Sequence, residues 1–412
     1  MNRLSLFVLV LVGCSEAMVP EHFDAALPVA DAAGVADATL PGASDAGVPG
    51  ADAAPVALAD AAPALADAAA PDARVLPDAA APIPAVVYVG SAGGNISTFG
   101  FDPATGALTA RGDTPGGTNP SFLSAFDRGL YAVNEGQRGQ VAAFSLDARG
   151  ALTFQNRVGS GGSGPAHLLA TQRFVIVAHY EDGAVTVMPI TAAGVGAPID
   201  TENPGDNAHQ AVLDPAGRFL FVPCLGSDLV AQFAFDPLTG ALTANAVPSV
   251  ASTRNAGPRH LAFHPSARWA YVINESDSTI TTYDYDAVNG RLTTKQTVST
   301  LPPRFGGSNT TAEIAVHPNG RFVYGSNRGH DSIAAFTVDA NSGELTPLSH
   351  TPTGGSSPRS FALAPDGRIL LVANQLSATV HALAIDPATG AVTALGKVAD
   401  VPRPAFVGFV TP

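Results

Sequence analysis

Cysteine is nearly absent: the 412 residues contain two, Cys14 and Cys224. One disulfide is the most they could form, so packing rather than crosslinking must hold a large fold together. Basic residues are also few, 21 Lys and Arg against 35 Asp and Glu, giving a formal net charge of −14. No basic cluster stands out, which excludes nucleic acid as a partner, because such binding rests on cations neutralising phosphates. No run approaches the roughly 18 apolar residues of a membrane-spanning helix. No Gly-x-Ser-x-Gly elbow is present, which argues against an acyl-enzyme. The histidines lack paired ligand spacing, so neither a metal nor another cofactor is expected.

What is present falls into two unlike parts. Residues 15–85 are almost wholly Ala, Asp, Pro, Val and Gly. Prolines interrupt any helix there and large apolar residues are scarce, so the segment reads as a disordered tether. Ahead of it, Arg3 precedes the short apolar run Leu4–Val12. Leu11-Val12-Gly13-Cys14 then resembles a bacterial lipobox. That reading makes 1–13 a lipoprotein signal peptide and 14–85 a lipidated Cys14 with its linker. It places the protein in the cell envelope, on the periplasmic face of the outer membrane or at the cell surface. With Cys14 lipidated no internal disulfide is possible, and Cys224 reads as a buried small hydrophobe.

Residues 86–412 repeat one phrase seven times. An apolar run ends in a polar turn, a second apolar run follows, and an Asp-x-x-x-Gly-x-Leu-Thr-like turn closes the unit. Tyr88–Thr109, Leu130–Thr153, Leu220–Thr243, Ala270–Thr293 and Leu370–Thr393 are the clearest copies; Phe322–Thr346 and Phe174–Gly194 complete the set. A repeat of about 45–50 residues built from short strands predicts propeller blades. Within 258–299 the strands are His260–His264 (A), Trp269–Asn274 (B), Thr279–Tyr285 (C) and a fourth from Arg291 (D). The other A strands are Ser121–Phe126, His167–Ala170, His209–Leu213, Glu313–His317, Ser360–Ala364 and, last in the chain, Ala405–Val410. The globular part opens at Val86 with a B strand, so the C-terminus supplies strand A of the first blade and pins the ring shut. The fold class is all-β, a monomeric seven-bladed propeller over 86–412.

In such a ring the start of each A strand and the end of each B strand crowd one channel mouth. The A column reads Ala166-His167, Ala208-His209, Arg259-His260, Ala312-Glu313 and Arg359-Ser360. The B column reads Asn134-Glu135, His179-Tyr180, Cys224-Leu225, Asn274-Glu275, Asn327-Arg328 and Asn374-Gln375. The recurring asparagines read as turn or blade-to-blade residues. His167 and His260 fit either a blade-to-blade hydrogen bond or a functional role. Arg259, Glu275 and Arg328 break the repeat, which marks them as functional. Arginine binds carboxylate or phosphate, and His or Glu acts as base near neutral pH, so the mouth suits an anionic substrate with an acyl centre. Arg218, Arg268, Arg321 and Arg368 belong to A–B turns on the opposite face.

The stretch GPRHLAFHP (Gly257–Pro265) followed by YVINE (Tyr271–Glu275) resembles the seven-bladed lactonase family. That family includes propeller-type 6-phosphogluconolactonases and carboxy-cis,cis-muconate lactonizing enzymes. Asn207–Asp228, Ala312–Asp339 and Ser357–Gln375 carry further matches. The resemblance implies a catalytic set of His209, Arg259, Glu275 and Arg328; the A column adds His260, Glu313 and Arg359 as expected substrate-binding residues. It implies hydrolysis of a sugar-derived or related anionic lactone. The two arginines would hold the anionic group and polarise the carbonyl; His209 or Glu275 would act as base. Asn207 stands where the family often has another His. A cycloisomerase acting on a muconate-like diacid, or a non-catalytic surface-anchored ring binding a partner or a cell-wall ligand, remain as alternatives at this point.

Overall fold

The computed structural model describes residues 85–410. The expected signal peptide, the expected lipidation site Cys14 and the expected tether, up to residue 84, lie outside them. The described residues form seven antiparallel sheets and no helix. Six blades are continuous in sequence. The remaining one joins Pro404–Val410 to Val86–Ser91, with Val86 opposite Val410 and Tyr88 opposite Gly408. The C-terminal strand therefore closes the ring as the strand count requires, and no sheet edge is left open at the seam.

The blades are held by what lies between them. Each of seven apolar clusters draws its side chains from two neighbouring blades, one cluster per junction, which leaves no junction unpacked. Tyr271 is fully buried and donates its hydroxyl to the Gly343 carbonyl of the next blade at 2.9 Å. Gly343 shows why the repeat keeps its glycine. Its φ is +75°, and a Cβ there would overlap the Trp269 ring of the preceding blade. The Asp-to-Gly turn is thus both a C–D connection and a socket for the neighbour's aromatic residue.

Strand predictions hold most closely in the fifth blade, where B is Trp269–Asn274 and C runs one residue further, to Asp286. Five inner strands begin one to three residues earlier than predicted, and two begin later. Ser121–Phe126 starts at Leu123. His209–Leu213 shrinks to Val212–Leu213, preceded by an isolated bridge from Ala208 to Cys224. The reason is lateral bonding. The Ala211 N–H donates to His167 Nδ1 at 3.4 Å, and Gln210 Oε1 accepts from Leu261 N–H at 2.6 Å, so this segment bonds to the inner strands on either side. The third blade, the weakest repeat, splits its outer strand into Gly194–Val195 and Asp200–Glu202. Pro198 lies in the gap and cannot donate to the ladder.

Candidate active site

Strand A leaves the mouth and strand B returns to it, so residues far apart in sequence meet there. Arg259 lies near the start of the fifth inner strand, Pro258–Phe263. Glu275 directly follows the B strand of that blade, and Arg328 ends the B strand of the sixth, Phe322–Arg328. One carboxylate oxygen, Glu275 Oε2, lies 2.8 Å from Arg259 Nε and 2.9 Å from Arg328 Nη2. Both guanidinium groups also donate to the sixth inner strand, Arg259 to the Ala312 carbonyl and Arg328 to the Thr311 carbonyl at 2.8 Å. The Glu275 backbone is tied on both sides, its N–H to Gly257 and its carbonyl to Thr311. The triplet that interrupts the repeat is one fixed network.

Electrostatics separate the members of this network. Burial pushes the Glu275 carboxyl up, but Arg259, Arg328 and Arg359 together outweigh it and hold the group below the usual carboxylate range. Burial also lowers the Arg259 pKa, with Glu275 opposing. A guanidinium remains charged even so. Arg359 differs from both: among the described residues it has neither hydrogen bond nor ion pair, and burial lowers its pKa while Glu135 opposes. Glu135 is fixed by the Asn119 side-chain amide at 3.1 Å.

Three histidines stand behind this charged layer. His209 and His167 have ring centroids 5.1 and 5.7 Å from that of His260. All three are nearly fully buried. Burial holds His209 and His167 well below the ordinary imidazole range, and Arg259 and neighbouring rings push them the same way. Burial lowers His260 too, although Glu313 partly offsets it. The site therefore contains three neutral imidazoles at neutral pH. His209 Nδ1 and His260 Nε2 are buried without a hydrogen-bond partner.

The structure brings His209, Arg259, His260, Glu313 and Arg359 to one cleft, with Glu275 and Arg328 joined through Arg259. Tyr180 and Glu135 were not singled out by sequence, though both lie in the same B-strand column. The Tyr180 ring packs edge-on against His209 at 5.7 Å, and burial raises its hydroxyl pKa, with Glu275 adding to the effect. The asparagines are scaffold as expected. Asn134 donates to Gly116, Asn327 to Thr300 and Asn374 to Thr353. In the third blade His179 does this work instead, meeting Ser160 Oγ through Nε2 at 3.0 Å. Cys224 is a buried free thiol, which burial pushes to about 12.

A family model described as "Lactonase, 7-bladed beta-propeller" matches residues 86–409. Among curated proteins, the 6-phosphogluconolactonase of Pectobacterium carotovorum is 35% identical over 252 residues, covering 60% of this chain and 75% of its own. That of Bacillus subtilis is 33% identical over 260 residues, covering 59% and 73%. Two solved structures extend the likeness over the whole ring. A putative 6-phosphogluconolactonase from Bacteroides fragilis has a TM-score of 0.75 at 28% identity, covering 81% of this chain and 99% of its own. The periplasmic gluconolactonase of Pseudomonas aeruginosa has a TM-score of 0.73 at 29% identity, covering 80% and 99%. The chain belongs to the seven-bladed β-propeller lactonase family.

Proposed function

We propose that this protein is a lactonase of the 6-phosphogluconolactonase type, a carboxylic ester hydrolase that opens a sugar lactone at this mouth. The observation that carries the reading is the division of labour among the arginines. Arg259 and Arg328 are committed to Glu275 and to backbone carbonyls, whereas Arg359 is unpaired beside three neutral imidazoles. A cation already half-buried and free of partners is suited to receive a substrate oxygen by charge-assisted hydrogen bonds. Arg259 and Arg328, fixed in advance, suit the charge that develops on the carbonyl oxygen during attack.

The substrate we infer is a sugar lactone without a phosphate. Glu275 occupies Arg259 and Arg328, which leaves Arg359 as the unpaired cation of this cluster, one charge where a phosphate dianion calls for more. The structural likeness to a periplasmic gluconolactonase supports this choice. So does the lipobox reading, in which Cys14 is lipidated and the ring works outside the cytosol. The test is kcat/KM for D-gluconolactone and for its 6-phospho form. We expect the unphosphorylated lactone to be preferred by about tenfold, the equivalent of one charge-assisted contact. A preference for the phosphorylated form overturns this assignment. Palmitate labelling that Cys14→Ser abolishes would support the anchor; labelling that survives it would exclude Cys14.

A further inference from the structure

His260 is the mouth histidine whose ring is held by a carboxylate. Its Nδ1 lies 2.8 Å from Glu313 Oε1, although the two residues are 53 apart in sequence and sit on inner strands of adjacent blades. Glu313 is itself fixed. Its N–H donates to Ser326 Oγ at 3.0 Å, and the same Oε1 accepts from the Ile314 N–H at 3.1 Å. An ionised carboxylate only accepts, so Nδ1 carries the imidazole hydrogen and Nε2 presents its lone pair. That Nε2 is buried without a partner, and so are His209 Nδ1 and the Nε–H of Arg259, which is poorly aligned with Glu275 despite its proximity. The cleft between His209, Arg259, His260, Glu313 and Arg359 has room for about one water molecule.

The other bases at the mouth are less suited to accept a proton. Glu275 is pinned between two guanidinium groups and stays ionised. His167 already uses Nδ1 to accept the Ala211 N–H, which leaves its other nitrogen protonated. His209 has no residue that fixes its tautomer.

We propose that this cleft seats the attacking water, with His260 Nε2 as its general base and Glu313 as the residue that positions His260. The proposal rests on the lactonase reading. The water oxygen bonds to the lactone carbonyl carbon while one of its protons passes to His260 Nε2. The resulting imidazolium is paired with Glu313. Collapse of the tetrahedral intermediate breaks the ring C–O bond, and the departing alkoxide takes the proton back from Nε2. The product is the hydroxy acid and His260 returns to its neutral form.

The experiment uses the full chain and D-gluconolactone, with the spontaneous rate subtracted, at pH values from 5 to 7.5. His260→Gln should lower kcat about 100-fold or more, the usual contribution of a general base. Glu313→Gln should move the acid limb of kcat/KM to lower pH, because the carboxylate that raises the His260 pKa is gone. A merely structural contact would change the rate without moving that limb. Histidine nitrogen NMR reads the dyad independently of turnover: His260 should be the Nδ1–H tautomer, and Glu313→Gln should lower its midpoint. Turnover that survives His260→Gln, or an Nε2–H tautomer, overturns the water seat alone. Absence of turnover by the unsubstituted chain overturns the lactonase reading and the water seat with it.

Discussion

The two faces of the ring carry the same residue types in different states. On the face of the A–B turns, His264 Nε2 meets the Gly320 carbonyl at 2.8 Å and His317 Nε2 meets that of Gly367 at 3.1 Å. Arg268 donates to Asn341 at 2.9 Å and lies over the Trp269 ring at 4.3 Å. Those groups fasten one blade to the next. At the mouth, Arg359 is unpaired, and His209 and His260 each keep a buried nitrogen without a partner. A buried polar group left unsatisfied lowers stability by about 1–3 kcal/mol, so a fold retains several together only where a ligand or water completes them. Residue type alone does not separate scaffold from chemistry here: Arg359, His209 and His260 differ from Arg268, His264 and His317 in what they touch.

The sharpest way to break this contrast is at the mouth. Glu275→Ala should lower kcat/KM by about 100- to 1,000-fold, because the two arginines that face the developing charge lose their anchor. It should also lower stability by about 3–5 kcal/mol, since the buried Arg259 and the part-buried Arg328 lose their common counter-ion. Steady-state kinetics and urea unfolding read the two effects separately. On the scaffold side, Trp269→Ala removes a buried ring from its glycine socket and should lower stability by about 3–5 kcal/mol. The fraction that remains folded should keep its kcat, which active-site titration would check.

Acidification should act on the histidine layer. His167, His209 and His260 have folded pKa values below the ordinary one, so below about pH 6.5 the unfolded chain takes up protons that the folded ring refuses. Their contribution is fully present above that pH and is lost as the pH falls toward the folded values. The slope should approach about 1.4 kcal/mol per pH unit for each histidine. Denaturant midpoints from pH 7 to 4.5 measure it, and His209→Gln should reduce the slope. The smallest effect belongs to Arg321, which stacks over Phe322 at 5.3 Å on the opposite face. Arg321→Ala should change stability by about 1 kcal/mol or less and leave kcat/KM intact.

The ring was legible because its period is carried by residues with local jobs: the Asp-to-Gly turn, the strand-ending asparagine, the Tyr-rich B strands. The inner strand of the fourth blade was not, because Gln210 and Ala211 bond to neighbouring inner strands, and no local pattern reports that. The mouth was legible as a column in which Arg259, Glu275 and Arg328 interrupt a repeat. Tyr180 and Glu135 interrupt the same column and could have been found by the same sign. The pairing of His260 with Glu313 and the unpaired state of Arg359 could not. Both depend on which side chains from adjacent blades meet across the channel, and the repeat aligns blades without saying what their exceptions touch.

The most direct test compares one arginine from each face. Kinetics on D-gluconolactone and thermal unfolding would be measured for Arg359→Ala and Arg268→Ala in the full chain. Loss of the unpaired Arg359 should reduce kcat/KM about 10- to 100-fold, the worth of one charge-assisted contact, with little change in unfolding temperature. Loss of the partnered Arg268 should lower the unfolding temperature and leave kcat/KM unchanged. An Arg359→Ala protein that is less stable but fully active, or an inactive Arg268→Ala protein of normal stability, would contradict the account.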